Sequence, residues 1–336
     1  MLAAVIPRPG PPEVLAVEER PVPVPGAEQL LVRVRASALN RADLLQRRGA
    51  YPVPPGSPAD IPGLEYAGEV AALGPGAREF REGERVFGLV GGGGHAEYVV
   101  VHERTAVRVP DALSWEAAGA VPEVFMTAHD ALLQGGARPG ETMLVHAVAS
   151  GVGLAAVQLA RAFGLRTLGT ARTAAKLAPA RAHGLDAGLA VEPEVAVDAA
   201  RLEAALGAWV RAETAGRGAD VALDLVGGAY VSATLAAMAP MGRAILIGLV
   251  AGSAGPVDFA RLLRGRLTVR GTVMRARALE ERIVVARRFA AEVVPLLAAG
   301  TVRPTVERVF PLAAIADAHR LLESNATVGK VVLTIP

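Results

Sequence analysis

The sequence predicts an α/β protein of two domains, on three observations: its length, the chemistry available for its core, and a change of texture near residue 122. A chain of 336 residues exceeds the ~100–200 typical of one domain, so two domains are expected. With 52% hydrophobic but only 4% aromatic residues, Ala, Val and Leu must fill the interior, which suits helices packed on a parallel sheet. The first third is rich in Pro and Gly, and the middle alternates apolar strands with Ala/Leu-rich helices.

In the first third, residues 30–35 and 96–101 alternate in polarity and read as half-buried strands. Glycines 91–94 read as a flexible turn. Beyond residue 122, apolar strands are expected at 142–147, 166–170, 187–191, 220–225, 243–248 and 267–273. Helices are expected between them at 152–163, 176–183, 201–214 and 230–238. Strands that alternate with helices specify a doubly wound parallel sheet. A longer amphipathic helix follows at 278–299, and a last strand at 330–335 returns to complete the first domain. The expected division is residues 1–122 with 290–336 as one domain and 123–289 as the other.

The 35 basic and 33 acidic residues are interspersed, and Lys occurs only at Lys176 and Lys330. Nucleic-acid binders concentrate positive charge on one face, so nucleic acid is not expected as a primary partner. The absence of Cys excludes disulfides, a thiolate nucleophile and Cys-ligated zinc, and fits a reducing compartment. The apolar run at the N-terminus is too short for a signal peptide, so a cytoplasmic location is expected. Residues 142–160 carry no charge, but Ser150, Gly151 and Gly153 interrupt them where a strand gives way to a helix, so no membrane span is expected.

The strongest local signal is the segment 144–156, a strand, a Gly-x-Gly-x-x-Ala turn and a helix start in that order. Gly151 permits the tight turn, Gly153 lets backbone approach a pyrophosphate, and Ala156 lets the helix pack on the sheet. This is the Rossmann arrangement, with Ser150, Gly151, Val152 and Gly153 at the positive end of the helix. An NAD-preferring site carries an Asp or Glu ~20 residues on. Here the next strand runs into Arg172, Thr173 and Lys176, two cations and a hydroxyl suited to the extra phosphate of NADPH. The same residues also read as a solvated helix start. Gly248 and Leu249 end another apolar strand, where cofactors border open α/β sheets.

Together with that turn, residues 40–52, 62–65 and 122–128 resemble the quinone oxidoreductases of the medium-chain dehydrogenase/reductase superfamily, from Met1 to the ending at 329–333. The resemblance implies a GroES-like β-rich domain, a Rossmann domain inserted after it, and a C-terminal return. Zinc-dependent relatives use a Cys where this chain has Asn40 and a His where it has Leu64, and their Cys-rich zinc lobe gives way to glycines 91–94, which implies a zinc-free branch. Six histidines remain, and the one local cluster, His95 and His102 beside Glu97 and Glu103, does not converge along a strand, so no metal site is expected.

By resemblance, Tyr51 and Asn40 border the nicotinamide and its acceptor, Thr127 contacts the nicotinamide ribose, and Asn325 and Lys330 lie near the cofactor. Residue chemistry leaves alternatives open: Tyr51 as a loop aromatic on Pro52, Pro54 and Pro55; Asn40 as a helix cap; Thr127 bonded to its own backbone; Asn325 and Lys330 as solvated surface. The implied reaction is hydride transfer from NADPH to a quinone. Reduction of an enal by an alkenal or enoyl reductase, and a non-enzymatic NADPH-binding role, stand as alternatives. Residues 267–273 read as an exposed sheet edge, through which a homodimer is expected.

Overall fold

A computed structural model describes residues 1–336. It divides into two compact units, Met1–Met126 with Met274–Pro336, and Thr127–Val273.

The first unit is built on a seven-stranded sheet in the order Val306–Pro311, Lys330–Thr334, Gln29–Ala38, Glu65–Leu73, Arg85–Leu89 and Val107–Arg108, with Tyr98–His102 also paired to Gln29–Ala38. Gln29–Ala38 alternates buried and half-buried residues, as its alternating sequence requires, and then becomes wholly buried at Ser37 and Ala38. Two irregularities in its pairing with Glu65–Leu73 bend it along the way. The C-terminal strand lies against its far end, Val332 opposite Ala38. The core is aliphatic, with Leu30, Val32, Val34, Val331 and Leu333 closed off by Tyr66.

Three expectations are corrected here. The helix expected over 278–299 is two helices, Leu279–Glu292 and Val294–Ala298. Pro295 causes the break, because it lacks an N–H and its ring crowds the carbonyl four residues earlier. The second domain boundary lies at residue 273, not 289, because Leu279–Glu292 packs on the first unit: Phe289 is fully buried, edge-on to Phe87 with ring centroids 6.2 Å apart. Glycines 91–94 are buried rather than a flexible turn. A Cβ on Gly91 would lie 2.2 Å from Ser57 Oγ, and one on Gly94 2.4 Å from the carbonyl of Glu65, so two backbone segments meet there with no room for a side chain.

The second unit is a six-stranded, all-parallel sheet in the order Ala187–Ala190, Arg166–Ala171, Thr142–Val145, Ala219–Asp224, Met238–Leu246 and Thr268–Gly271. The central strands Thr142–Val145 and Ala219–Asp224 are buried throughout, as strands covered on both faces must be. Helices Gly151–Ala162, Ala174–Ala182, Ala199–Glu213 and Ala229–Ala237 connect the strands. The strand order reverses between Thr142–Val145 and Ala219–Asp224, which opens the crevice where doubly wound sheets bind ligands. His146 lies in the core, its ring nitrogens 2.9 Å from Thr170 Oγ1 and 2.8 Å from Thr234 Oγ1. Every residue of the edge strand Thr268–Gly271 is exposed. No helix is long and apolar enough to cross a membrane.

Candidate active site

In the second unit, the chain leaves Thr142–Val145 and enters the helix Gly151–Ala162 at Ser150, whose Oγ accepts the N–H of Gly153 at 3.1 Å. A Cβ on Gly153 would lie 2.6 Å from the carbonyl oxygen of Val148 and 2.7 Å from that of Ala147, so only glycine allows the helix to start this close to the strand. The N–H groups of Gly151 and Val152 lack helical acceptors, and the helix dipole adds positive potential there. The arrangement can hold an anion.

On the neighbouring strand Arg166–Ala171, the chain emerges at Arg172, which is exposed. Thr173 caps the helix Ala174–Ala182, its Oγ1 accepting the N–H of Lys176 at 3.4 Å. That bond uses an oxygen lone pair and leaves the Thr173 O–H as a donor. Parallel strands point their carboxyl ends to one edge, so Gly248, which follows Met238–Leu246, lies on the same edge. The Gly248 N–H meets the Asp224 carbonyl at 3.2 Å, and Leu249 beside it is half exposed. Thr127 opens the helix Thr127–Gln134 and is buried, with no hydrogen-bond partner for its Oγ1.

In the first unit, two of the expected residues meet in a buried polar node. Asn40 caps the helix Arg41–Arg47, and its N–H donates to Asp43 Oδ2 at 2.7 Å. Its side-chain Nδ2 donates to Glu65 Oε1 at 2.8 Å, and its Oδ1 accepts from Lys330 Nζ at 2.6 Å. Asn40 therefore stands at the helix start as the capping alternative expected, while its side-chain amide is engaged within the node. Lys330 is 4% exposed, and its ammonium also donates to the Leu39 carbonyl at 2.8 Å and to Glu65 Oε1 at 2.7 Å. An ammonium has three donors, and all three are engaged inside the protein. Lys330 is thus not solvated surface, and its charge is directed into the protein interior. Asn325, with left-handed backbone at φ 58°, takes a bond on its Oδ1 from Arg41.

Around this node stand groups that pattern reading did not single out. The fully buried carboxylate of Glu65 also accepts the Glu123 N–H at 2.8 Å. Burial pushes the Asp43 carboxyl up to about 6, against the opposing N–H of Asn40 and charge of Lys330. His95 is buried with Nδ1 3.0 Å from Ser37 Oγ and Nε2 3.9 Å from Asp43 Oδ2, and burial pushes it down to about 3, so its ring is neutral. Glu123 is pushed up to about 8, by burial and then by the charge of Glu65. Tyr51 is half-buried with the Arg275 guanidinium 5.0 Å from its ring centroid. Burial and then Glu123 raise its phenol, and Arg275 opposes them. Arg275 in turn donates to the Gly91 carbonyl at 2.8 Å and to Gln46 Oε1 at 2.7 Å. Glu123, a carboxyl that retains its proton at neutral pH, together with the Tyr51 phenol forms a proton-donating environment. The available signal was a charged residue inside an apolar run, as at Glu65 and Glu123, but sequence does not say which such residues converge.

If Lys330 holds the node together, Lys330→Met should lower stability by about 3–5 kcal/mol, because Glu65 is left buried and unpaired. Urea unfolding measures this, and nucleotide affinity of the folded fraction should be unchanged. Weakened nucleotide binding with little loss of stability would contradict that placement.

Comparison with known proteins agrees with this architecture. Residues 26–111 match the alcohol dehydrogenase GroES-like domain, and residues 194–333 match the zinc-binding dehydrogenase family. The chain is 31% identical over 332 residues to the quinone oxidoreductase of Lama guanicoe, across 97% of this chain and 95% of that protein. The crystal structure of the quinone oxidoreductase from Thermus thermophilus, also solved as its complex with NADPH, has a TM-score of 0.81 at 34% identity, over 99% of this chain and 100% of its own. An NAD-dependent alcohol dehydrogenase has a TM-score of 0.85 at 32% identity over 100% of both chains. A GroES-like domain joined to a Rossmann sheet, with identity along nearly its whole length, identifies an oxidoreductase fold, and the chain belongs to the quinone oxidoreductase family of the medium-chain dehydrogenase/reductase superfamily.

Proposed function

We propose that this oxidoreductase uses NADPH to reduce a quinone and works without zinc. One observation carries the cofactor assignment: the glycine cradle at Ser150–Gly153 is followed, at the end of the next strand, by Arg172, Thr173 and Lys176 where an NAD site carries an acid. The cradle fits a diphosphate, and the two cations with the Thr173 hydroxyl fit a further phosphate. Thr127, Gly248 and Leu249 would border the same nucleotide, and the Thr127 hydroxyl has no partner within the protein. When bound, the reduced nicotinamide supplies the hydride.

The chain's own residues would place and polarise the acceptor. The Tyr51 phenol, raised rather than lowered, keeps its proton and can donate a hydrogen bond to a carbonyl oxygen as charge grows on it. Arg275 against its ring holds the aromatic in place. Asn40, locked by Glu65 and Lys330, serves to set the backbone from which the acceptor loop departs.

The donor set does not fit a catalytic zinc. Asn40 and Leu64 offer neither thiolate nor imidazole, and the oxygens of Asn40 and Glu65 already hold the Lys330 ammonium. Reduction without a metal requires an acceptor that is itself electron-poor, which supports a quinone.

Arg172→Ala combined with Lys176→Ala should lower kcat/KM for NADPH by roughly tenfold or more and leave that for NADH nearly unchanged, since a charge-assisted bond is worth about 1.5–3 kcal/mol. Steady-state oxidation of both cofactors with a naphthoquinone decides this, and an intact preference for NADPH would refute the phosphate site. Tyr51→Phe should reduce kcat for the quinone with KM for NADPH unaltered; undiminished turnover would remove Tyr51 from the mechanism. We also infer a homodimer joined at the exposed edge Thr268–Gly271. Light scattering should return twice 34.5 kDa, and a monomer would count against that edge as an interface.

A further inference from the structure

Resting on the reading that the chain reduces a carbonyl acceptor, we propose that Glu123 is the proton donor that completes this reduction, acting through one water in a cavity it shares with Arg275 and Arg282. The cavity, of about 10 Å³, is lined by four apolar residues, Leu64, Leu89, Val90 and Met274, and these three polar residues. It has room for about one water molecule and not for a larger ligand. Arg275 Nη1 and Arg282 Nε are both buried without a hydrogen-bond partner. Buried guanidinium donors without partners, on two residues that line one water-sized space, are costly unless some state of the protein uses them.

Ionised Glu123 is that state. The helical turn Pro122–Met126 places its carboxyl on the cavity wall, with no protein partner for the side chain and its N–H bonded to Glu65. From the strand Glu65–Leu73, Glu65 favours retention of the Glu123 proton, and from the helix Arg41–Arg47 so does Asp43. Lys330 on the C-terminal strand and Arg275 oppose them, Tyr51 is coupled to Glu123 from its loop, and Arg282 faces the cavity from the helix Leu279–Glu292. The first pair prevails with burial, so the carboxyl carries a proton up to about pH 8.

The step balances simply. Hydride transfer brings both electrons and leaves negative charge on the acceptor oxygen. The O–H bond of Glu123 breaks, its proton passes through the cavity water to that oxygen, and an O–H bond forms there. The carboxylate that remains gains Arg275 and Arg282 as partners until solvent returns a proton. Arg275 touches both the Tyr51 ring and the cavity, so the phenol that polarises the acceptor and the proton store share one side chain.

Glu123→Gln retains shape and polarity but has no proton to give. With saturating NADPH and a naphthoquinone, kcat should fall roughly 10²-fold with KM for NADPH unchanged. The loss of rate as pH rises through about 8 should also vanish. Infrared titration without cofactor gives a second readout: a protonated-carboxyl band that disappears near pH 8 in the wild type and is missing in Glu123→Gln. Arg275→Gln should raise that midpoint, because the Arg275 charge opposes retention of the Glu123 proton. Stability follows the same sign. A folded-state value raised from 4.5 to about 8 means that the wild type loses thermal stability relative to Glu123→Gln as pH climbs through that interval. Undiminished kcat with an unchanged pH profile in Glu123→Gln, or no carboxyl titrating above neutrality, overturns the proposal. A wild-type protein that binds NADPH but reduces no quinone or enal overturns the underlying reading instead, and the infrared titration tells the two failures apart.

Discussion

The Lys330 ammonium is bound to three acceptors, the Leu39 carbonyl, Asn40 Oδ1 and Glu65 Oε1, and the first unit is organised around it. A buried cation costs desolvation that only well-placed partners offset. Here the partners come from the start of the chain and the cation from its end, so the C-terminal strand cannot leave without exposing two charges to an apolar interior. The same three bonds fix the amide of Asn40 and therefore the entry into the helix Arg41–Arg47. They also pin the Glu65 carboxylate, whose other oxygen holds the backbone of Glu123.

From that node the electrostatics of the unit follow. Because Glu65 faces Lys330 from the sheet interior, its charge bears on Glu123 and His95. Asp43, His95 and Glu123 are shifted chiefly by burial, each toward its neutral form, as a low-dielectric interior demands. The result is a region with the Glu65–Lys330 pair at its centre and the proton-bearing carboxyl of Glu123 at its margin. Arg275 is the bridge between that margin and Tyr51, with two neutral acceptors and an aromatic face as its partners.

The second unit achieves its chemistry by other means. Its interior is close-packed aliphatic side chains with small residues where helix meets strand, and its cradle is made of backbone N–H groups rather than side-chain charge. The absence of a Cβ at Gly153 is a steric condition met by one residue, and the cations at Arg172 and Lys176 lie outside the core where ionisation carries little cost. One unit is therefore tuned by buried charge and the other by backbone geometry.

This difference explains what was legible beforehand. The strand, turn and helix around Ser150–Gly153 were readable because each requirement falls within one short segment, and the parallel sheet was readable from strands alternating with helices. Asn40 and Lys330 were singled out by resemblance, but the bond between them spans 290 residues, and no local pattern announces it. Glu65, Glu123, Arg275 and Arg282 were missed for the same reason, since a charged residue looks alike in sequence whether it faces water or a buried partner. Pro295 ended a helix that periodicity alone carried onward, and glycines 91–94 proved to be a packing contact because the segment they touch, around Ser57 and Glu65, is remote in sequence. Local sequence was enough to specify the elements, their order and the glycine turn at Ser150–Gly153, because those depend on neighbours along the chain. Which charges are buried together, and so which groups keep a proton at neutral pH, was set by the folded arrangement alone, because desolvation and Coulomb interaction depend on distance through space.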